Sequence, residues 1–231
     1  MVVRVLLLAM VTGAFVHAEC TSPGKERWDI KSSVPAGANF DKPKRVKLTD
    51  LVKLKNPPGV TNKEKEFDSK RIPGFENPLG VKEGDLVSIT GFLFLVATED
   101  NDCEYHIQIS ATVPDFTAAS SSHPMILDDC IIVEVARPDA FADPKLSKAA
   151  ETTRAWIREK LKLTSRTSGN EPSGGGNMMQ HPVFVQVSGQ LFFDDAHLLK
   201  TGGSQPRGKH GLRTNTLWEL HPVTAIDFAK Q

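Results

Sequence analysis

Cysteine is scarce here, and none of it is spaced for thiol chemistry. Three cysteines occur, Cys20, Cys103 and Cys130, and no C-x-x-C pair, so a dithiol redox centre has no support. There is no H-E-x-x-H to set two imidazoles on one helical face as in a zincin. G-x-S-x-G is also missing, and with it the strand-to-helix turn that exposes a catalytic serine. Neither G-x-x-x-x-G-K-[ST] nor G-x-G-x-x-G is present; "SGGGN" at 173–177 precedes no helix pattern and reads as loop. Internal repeats are absent too.

Net charge is lacking as well. Twenty-eight basic residues face 28 acidic ones, so no global field draws the chain to nucleic acid or to an anionic membrane. Nucleic acid is therefore an unlikely partner. The one uneven stretch, Asp41 to Arg71, holds ten Lys or Arg against five Asp or Glu and reads as a solvated arm.

Only one long apolar run exists, from Val5 to Val16, behind Arg4 and ahead of Val16-x-Ala18. This is the pattern of a secretory signal peptide, too short to span a bilayer. Residues 1–18 are expected to be removed, which places the protein outside the cytoplasm, secreted or periplasmic. Loss of Arg4 leaves 27 basic and 28 acidic residues. Glu19 before Cys20 argues against lipidation. No second apolar run is present, so no transmembrane segment is expected.

The roughly 210 remaining residues suit one core plus an arm. Residues 19–83 are rich in Pro, Lys and Asp and read as an extended arm, with Trp28 its expected anchor. From Gly84 the texture becomes β-rich, and 84–231 forms the domain. "GDLVSITGFLFLVATE", "CEYHIQISA" and "CIIVEVA" read as three strands. A helix follows, capped by Asp143 with Pro144 in its first turn. Its apolar face runs through Leu146, Ala149, Ala150, Thr153, Trp156, Ile157 and Leu161, which predicts a buried Trp156. "TSRTSGNEPSGGGNMMQ" reads as loop, and "PVFVQVSGQLFFD" and "TLWELHPVTAIDF" as the last two strands. Mainly β with one helix, in the order β-β-β-α-β-β, is the plan of an OB-fold-like five-stranded barrel.

The segments "ERWDIK", "DNDCEYHIQI", "CIIVEVA", "GQLFFDDAH" and "WELHPVTAIDF" resemble a group of uncharacterised secreted bacterial proteins. Those carry an E-R-W-x-x-K start, a D-x-D-Y-H-L-V-L strand, a G-x-x-F-F-D-x-x-H segment and an E-L-H-P-V ending. The resemblance implies secretion and a barrel-like domain, and no activity. This chain departs from the pattern at Cys103 and Glu104, and by the insertion "KTGGSQPRGKHGLRTN" before the last strand.

Polar residues inside the strands are the candidate site. Barrel pairing would bring His106, Glu134, Glu219 and His221 together from three neighbouring strands, while Asp194 and His197 end a fourth. Such groups can hold a divalent metal, or can pair with one another to satisfy buried polar atoms. The structural role is the main expectation, and no cofactor is called for. Pro222 should force a bulge or an edge beside His221. Cys103 and Cys130 open successive antiparallel strands and so lie too far apart to bridge; Cys20 is left to pair with one of them, or none pairs. Three functions stay open: an extracytoplasmic binding or accessory protein, a metal-dependent hydrolase such as a phosphodiesterase, and a nucleic-acid-binding domain. The barrel strands hold no arginine, so likeness to a staphylococcal-type nuclease rests on fold analogy alone.

Overall fold

The computed structural model describes residues 26–99, 102–116, 119–163, 166 and 170–231. The expected signal peptide and Cys20 lie outside them. Three strands of six residues or more precede the one long helix: β2 (Leu86–Thr98), β3 (Tyr105–Ser110) and β5 (Cys130–Val135). The helix is α3 (Pro144–Lys160), and β6 (Asn177–Phe193) and β8 (Trp218–Phe228) follow it. A short strand β1 (Lys44–Arg45) lies in the arm, between the single-turn helices α1 (Trp28–Lys31) and α2 (Leu48–Leu51). The main sheet runs β1-β2-β3-β5-β8-β6, and β6 pairs back onto β2.

The fold is thus mainly β, with one long helix and a mixed six-stranded sheet. It is not a plain five-stranded barrel. β1 adds a sixth strand, parallel to β2, and the β5–β8 contact is parallel and only two residue pairs long. A separate parallel pair joins β4 (Met125–Leu127) to β7 (Leu212–Thr214). Their three-residue lengths leave too little periodicity to be read beforehand.

Alternation decides what the sheet encloses. Tyr105, Ile107 and Ile109 of β3, Ile131 and Val133 of β5, Leu191 and Phe193 of β6, and Trp218 and Leu220 of β8 share the main core. Gly91 and Gly189 let strands approach closely. A Cβ on Gly91 would lie 2.8 Å from the Ser110 carbonyl, and one on Gly189 would lie 2.9 Å from that of Pro222. The β6–β8 register shifts on both sides of Gly189, which is the irregularity that Pro222 was expected to impose.

Local chemistry sets the ends of α3. Asp143 Oδ1 accepts from the Lys145 amide at 2.8 Å, and Pro144 needs no donor in the first turn. Asp143→Ala is expected to cost about 1 kcal/mol, measurable by urea denaturation. Leu146, Ala150, Thr153, Arg154 and Ile157 are the buried face. Trp156 is only half-buried, contrary to expectation. It sits on the flank of that stripe, its ring 4.9 Å from Phe228 and its Nε1 donating to Asp227 at 3.3 Å.

Two further expectations need correcting. β6 begins at Asn177, inside the stretch read as loop, because pairing of Asn177 and Met178 with Val96 and Leu95 carries the strand past its glycines. The arm is anchored by Arg27, 3% exposed, while Trp28 is half-buried. Arg27 Nη1 and Nη2 donate to Glu83 Oε1 and Oε2 at 2.7 Å each, a bidentate fit that fixes orientation as well as charge. Further along the arm, Leu48, Leu51, Leu54, Ile72 and Val81 enter the main core.

Tyr105 faces Val135 and Ser110 faces Cys130, so Cys103 and Cys130 fall at opposite ends of the β3–β5 pair. Cys130 is a free, buried thiol, its pKa pushed up to about 12 by burial. Cys103 is disulfide-bonded. The two do not bridge one another, as the strand geometry required; the role of Cys20 lies outside the described residues.

Candidate functional site

The same alternation that sends Trp218 and Leu220 inward turns Glu219 and His221 to the outer face of β8. That face is not solvent: both residues are 0% exposed. His106 lies directly opposite Glu134 across β3–β5. The β5–β8 ladder ends at Val133 opposite Leu220, so the next position brings Glu134 beside His221. Phe192 faces Glu219 across β6–β8. Three adjacent strands therefore present His106, Glu134 and His221 in one row.

Segments remote in sequence close over this row. Glu104, just ahead of β3, reaches His221 from the β2–β3 connection. Lys31 comes from α1 and lies over the Phe192 ring, Nζ 5.2 Å from its centroid, beside Arg27 at 4.9 Å. Arg207 comes from the insertion before β8. None of these four was a candidate in the sequence. Lys31 and Arg27 were visible only as members of "ERWDIK", Arg207 as a charge in a Gly-rich loop, and Glu104 as a departure from the resembled pattern.

Glu134 holds two imidazoles at once. Its Oε2 lies 2.7 Å from His221 Nδ1 and its Oε1 3.3 Å from His106 Nδ1, with Lys31 Nζ 3.7 Å from Oε2. His221 Nε2 stands 3.2 Å from Glu104 Oε1, yet misaligned, so that neither atom has a hydrogen-bond partner. Glu219 Oε1 is 3.6 Å from His221 Nδ1, while Oε2 accepts from Arg207 Nη1 at 2.7 Å. Arg207 Nη1 also donates to Asp194, and Asp194 Oδ2 lies 2.6 Å from His197 Nδ1. All six sequence candidates thus belong to one connected cluster. His197 is its exposed end, with 40% of its side chain accessible.

The electrostatics follow from burial set against charge. Burial opposes the charge on His221, but Glu104 and Glu134 outweigh it and hold the imidazole well above its ordinary range. Burial likewise opposes ionisation of Glu134, and Lys31 with the two imidazoles pulls its carboxyl well below the usual range. Asp194 is lowered in the same way by Arg207 and His197. At the rim, Glu99 Oε1 lies 3.0 Å from Lys209 Nζ.

The aromatic residues divide as alternation requires. Tyr105, Phe193 and Trp218 belong to the main core, and Phe192 alone faces the polar cluster, 6.0 Å from the His221 ring. No open stacking platform is formed by them.

No comparison identifies the chain. No family model matches it, and neither the curated proteins nor the solved structures contain a significant match. Among the described residues, no helix is long and apolar enough to cross a membrane.

Proposed function

We propose that the protein is an exported, non-enzymatic binding protein built on an OB-type barrel. The strand circuit β2-β3-β5-β8-β6 and back to β2, with the helix between β5 and β6 in the chain, supports the barrel reading. OB barrels take ligands on the face of their second and third strands, flanked by the loops joining strands one to two and four to five. Those positions correspond here to β3 and β5, the 99–104 connection and the 194–217 segment. His106 and Glu134 come from the strands, Glu104 from the first loop and Arg207 from the second, and all arrive at that one face. This convergence carries the proposal. The apolar run Val5–Val16 with its Val16-x-Ala18 site, and the resemblance to secreted bacterial proteins, support export.

Binding fits better than hydrolysis because the carboxylates of the cluster face cations or imidazoles of the protein itself. The test is an NMR titration of the labelled protein with zinc, magnesium, inorganic phosphate and a short oligonucleotide. At least one of the small ions is expected to shift resonances within 99–106, 131–134 and 207–221, and the oligonucleotide to shift none at physiological salt. Shifts confined to another face would remove this surface as the binding site. Turnover of a phosphodiester, abolished by His221→Ala, would replace binding with metal-dependent hydrolysis.

A further inference from the structure

We propose that His221 Nε2, Glu104 and Glu134 form a site for a divalent cation of the zinc class, under the roof made by Lys31 and Arg207. The inference rests on the binding reading above and names its ligand. Glu104, Glu134 and His221 each offer one ligand atom, and these atoms lie within 4.8 Å of one another. Four polar atoms in the cluster are buried without a hydrogen-bond partner: Glu104 Oε1, His106 Nε2, Glu219 Oε1 and His221 Nε2. Their residues are 3%, 7%, 0% and 0% exposed. Buried polar groups are ordinarily satisfied, so each unsatisfied one calls for an explanation.

Geometry singles out the pair at the centre. A tetrahedral shell with bonds of about 2.0–2.1 Å has ligand-to-ligand edges of about 3.3 Å. Glu104 Oε1 and His221 Nε2 stand 3.2 Å apart, close to such an edge. On the far side of the ring, Glu134 Oε2 accepts from Nδ1 at 2.7 Å. A carboxylate on one ring nitrogen fixes the tautomer and leaves the other nitrogen bare to coordinate. Glu134 therefore acts first as the positioning residue for His221; to ligate as well, its carboxylate has to swing away from Nδ1, a shift that the 4.8 Å spread of the three donor atoms keeps short.

Charge agrees with the geometry. A cation would displace the proton that Glu104 and Glu134 favour on His221; without that proton, Glu104, Glu134, Glu219 and Asp194 are met by Lys31, by Arg207 and, at the exposed end, by His197. The carboxylates then outnumber the cations, an excess that a divalent ion offsets, and the rim pair Glu99–Lys209 cancels itself. An imidazole nitrogen in a compact donor set favours zinc over calcium, which takes about six to eight oxygens in a roomier cage.

The test uses the purified protein stripped with a chelator. Zinc titration by calorimetry is expected to show one saturable equivalent that excess magnesium does not displace, and cobalt(II) to give the intense visible bands of a low-coordinate N/O site. Glu104→Gln and His221→Gln should each weaken zinc binding by at least about tenfold, and Glu134→Gln by about 10–100-fold, as loss of an orienting carboxylate does. Glu151→Gln, on the exposed face of α3, should leave it unchanged. X-ray absorption of the zinc-loaded wild type guards against variants that fail to fold, with one imidazole nitrogen and carboxylate oxygens expected. Absence of saturable binding, sulfur or several imidazoles in that spectrum, or undiminished affinity in a folded Glu104→Gln or His221→Gln variant would each overturn the site. If zinc fails while phosphate still perturbs the same face, the cation assignment falls and the binding reading survives.

Discussion

Arg27→Met is expected to destabilise the protein by about 3–5 kcal/mol, the range for removing one partner of a buried ion pair. Arg27 and Glu83 have 2% and 0% of their side chains exposed. Arg27 also donates to the carbonyls of Phe67, Lys70 and Phe193, and Glu83 accepts from the amides of Ile72 and Phe193 at 2.6 and 3.1 Å. Methionine fills much of the volume but leaves a bare buried carboxylate and unpairs three carbonyls, that of Phe193 in the interior. Urea denaturation followed by circular dichroism measures the loss. Glu83→Gln in the same background should cost less than it does alone, because residues sharing one network are not additive. A loss below about 1 kcal/mol for Arg27→Met, or strict additivity, would show that the pair does not hold the arm.

The two tryptophans of β8 and α3 should behave very differently. Trp218→Ala is expected to cost about 3–5 kcal/mol, the range for deleting a buried large aromatic. Its ring is 1% exposed, packs 5.1 Å from Phe193 and 6.3 Å from Phe75, and its Nε1 donates to the Lys55 carbonyl at 3.0 Å. Deletion therefore opens a cavity and also orphans a carbonyl of the arm. Trp156→Ala should cost roughly half of that or less, since the half-buried site can fill with water or collapse onto Phe228. Equal losses in thermal melts of the two variants would mean that Trp156 lies deeper than its place on the flank of α3 allows.

What could be read beforehand was local. The Asp143 cap depends on a contact two residues long, and the inward set of β8 on strict alternation, so both stood in the sequence. The gathering of His106, Glu134, Glu219 and His221 needed only the order of the strands. What the strand order did not give was the cover over the outer face of β8. Alternation separates two faces but does not say what lies on each, and the cover comes from Lys31 and Arg207, which share no periodicity with the strand. Trp156 shows the same limit within a helix, where spacing marks a broad stripe and tertiary packing selects its centre. Asn177 to Gln180 were hidden by composition: their neighbours are Gly and Ser, and only the partner strand makes them extended.

The roof over Phe192 has a consequence for the time course of folding. Arg27 meets the Phe193 carbonyl across 166 sequence positions, and Gln190 reaches the Ile30 carbonyl across 160. Contacts of that span carry a large closure entropy and form slowly. The cluster is consequently expected among the later contacts to form, because it needs both of these long-range closures.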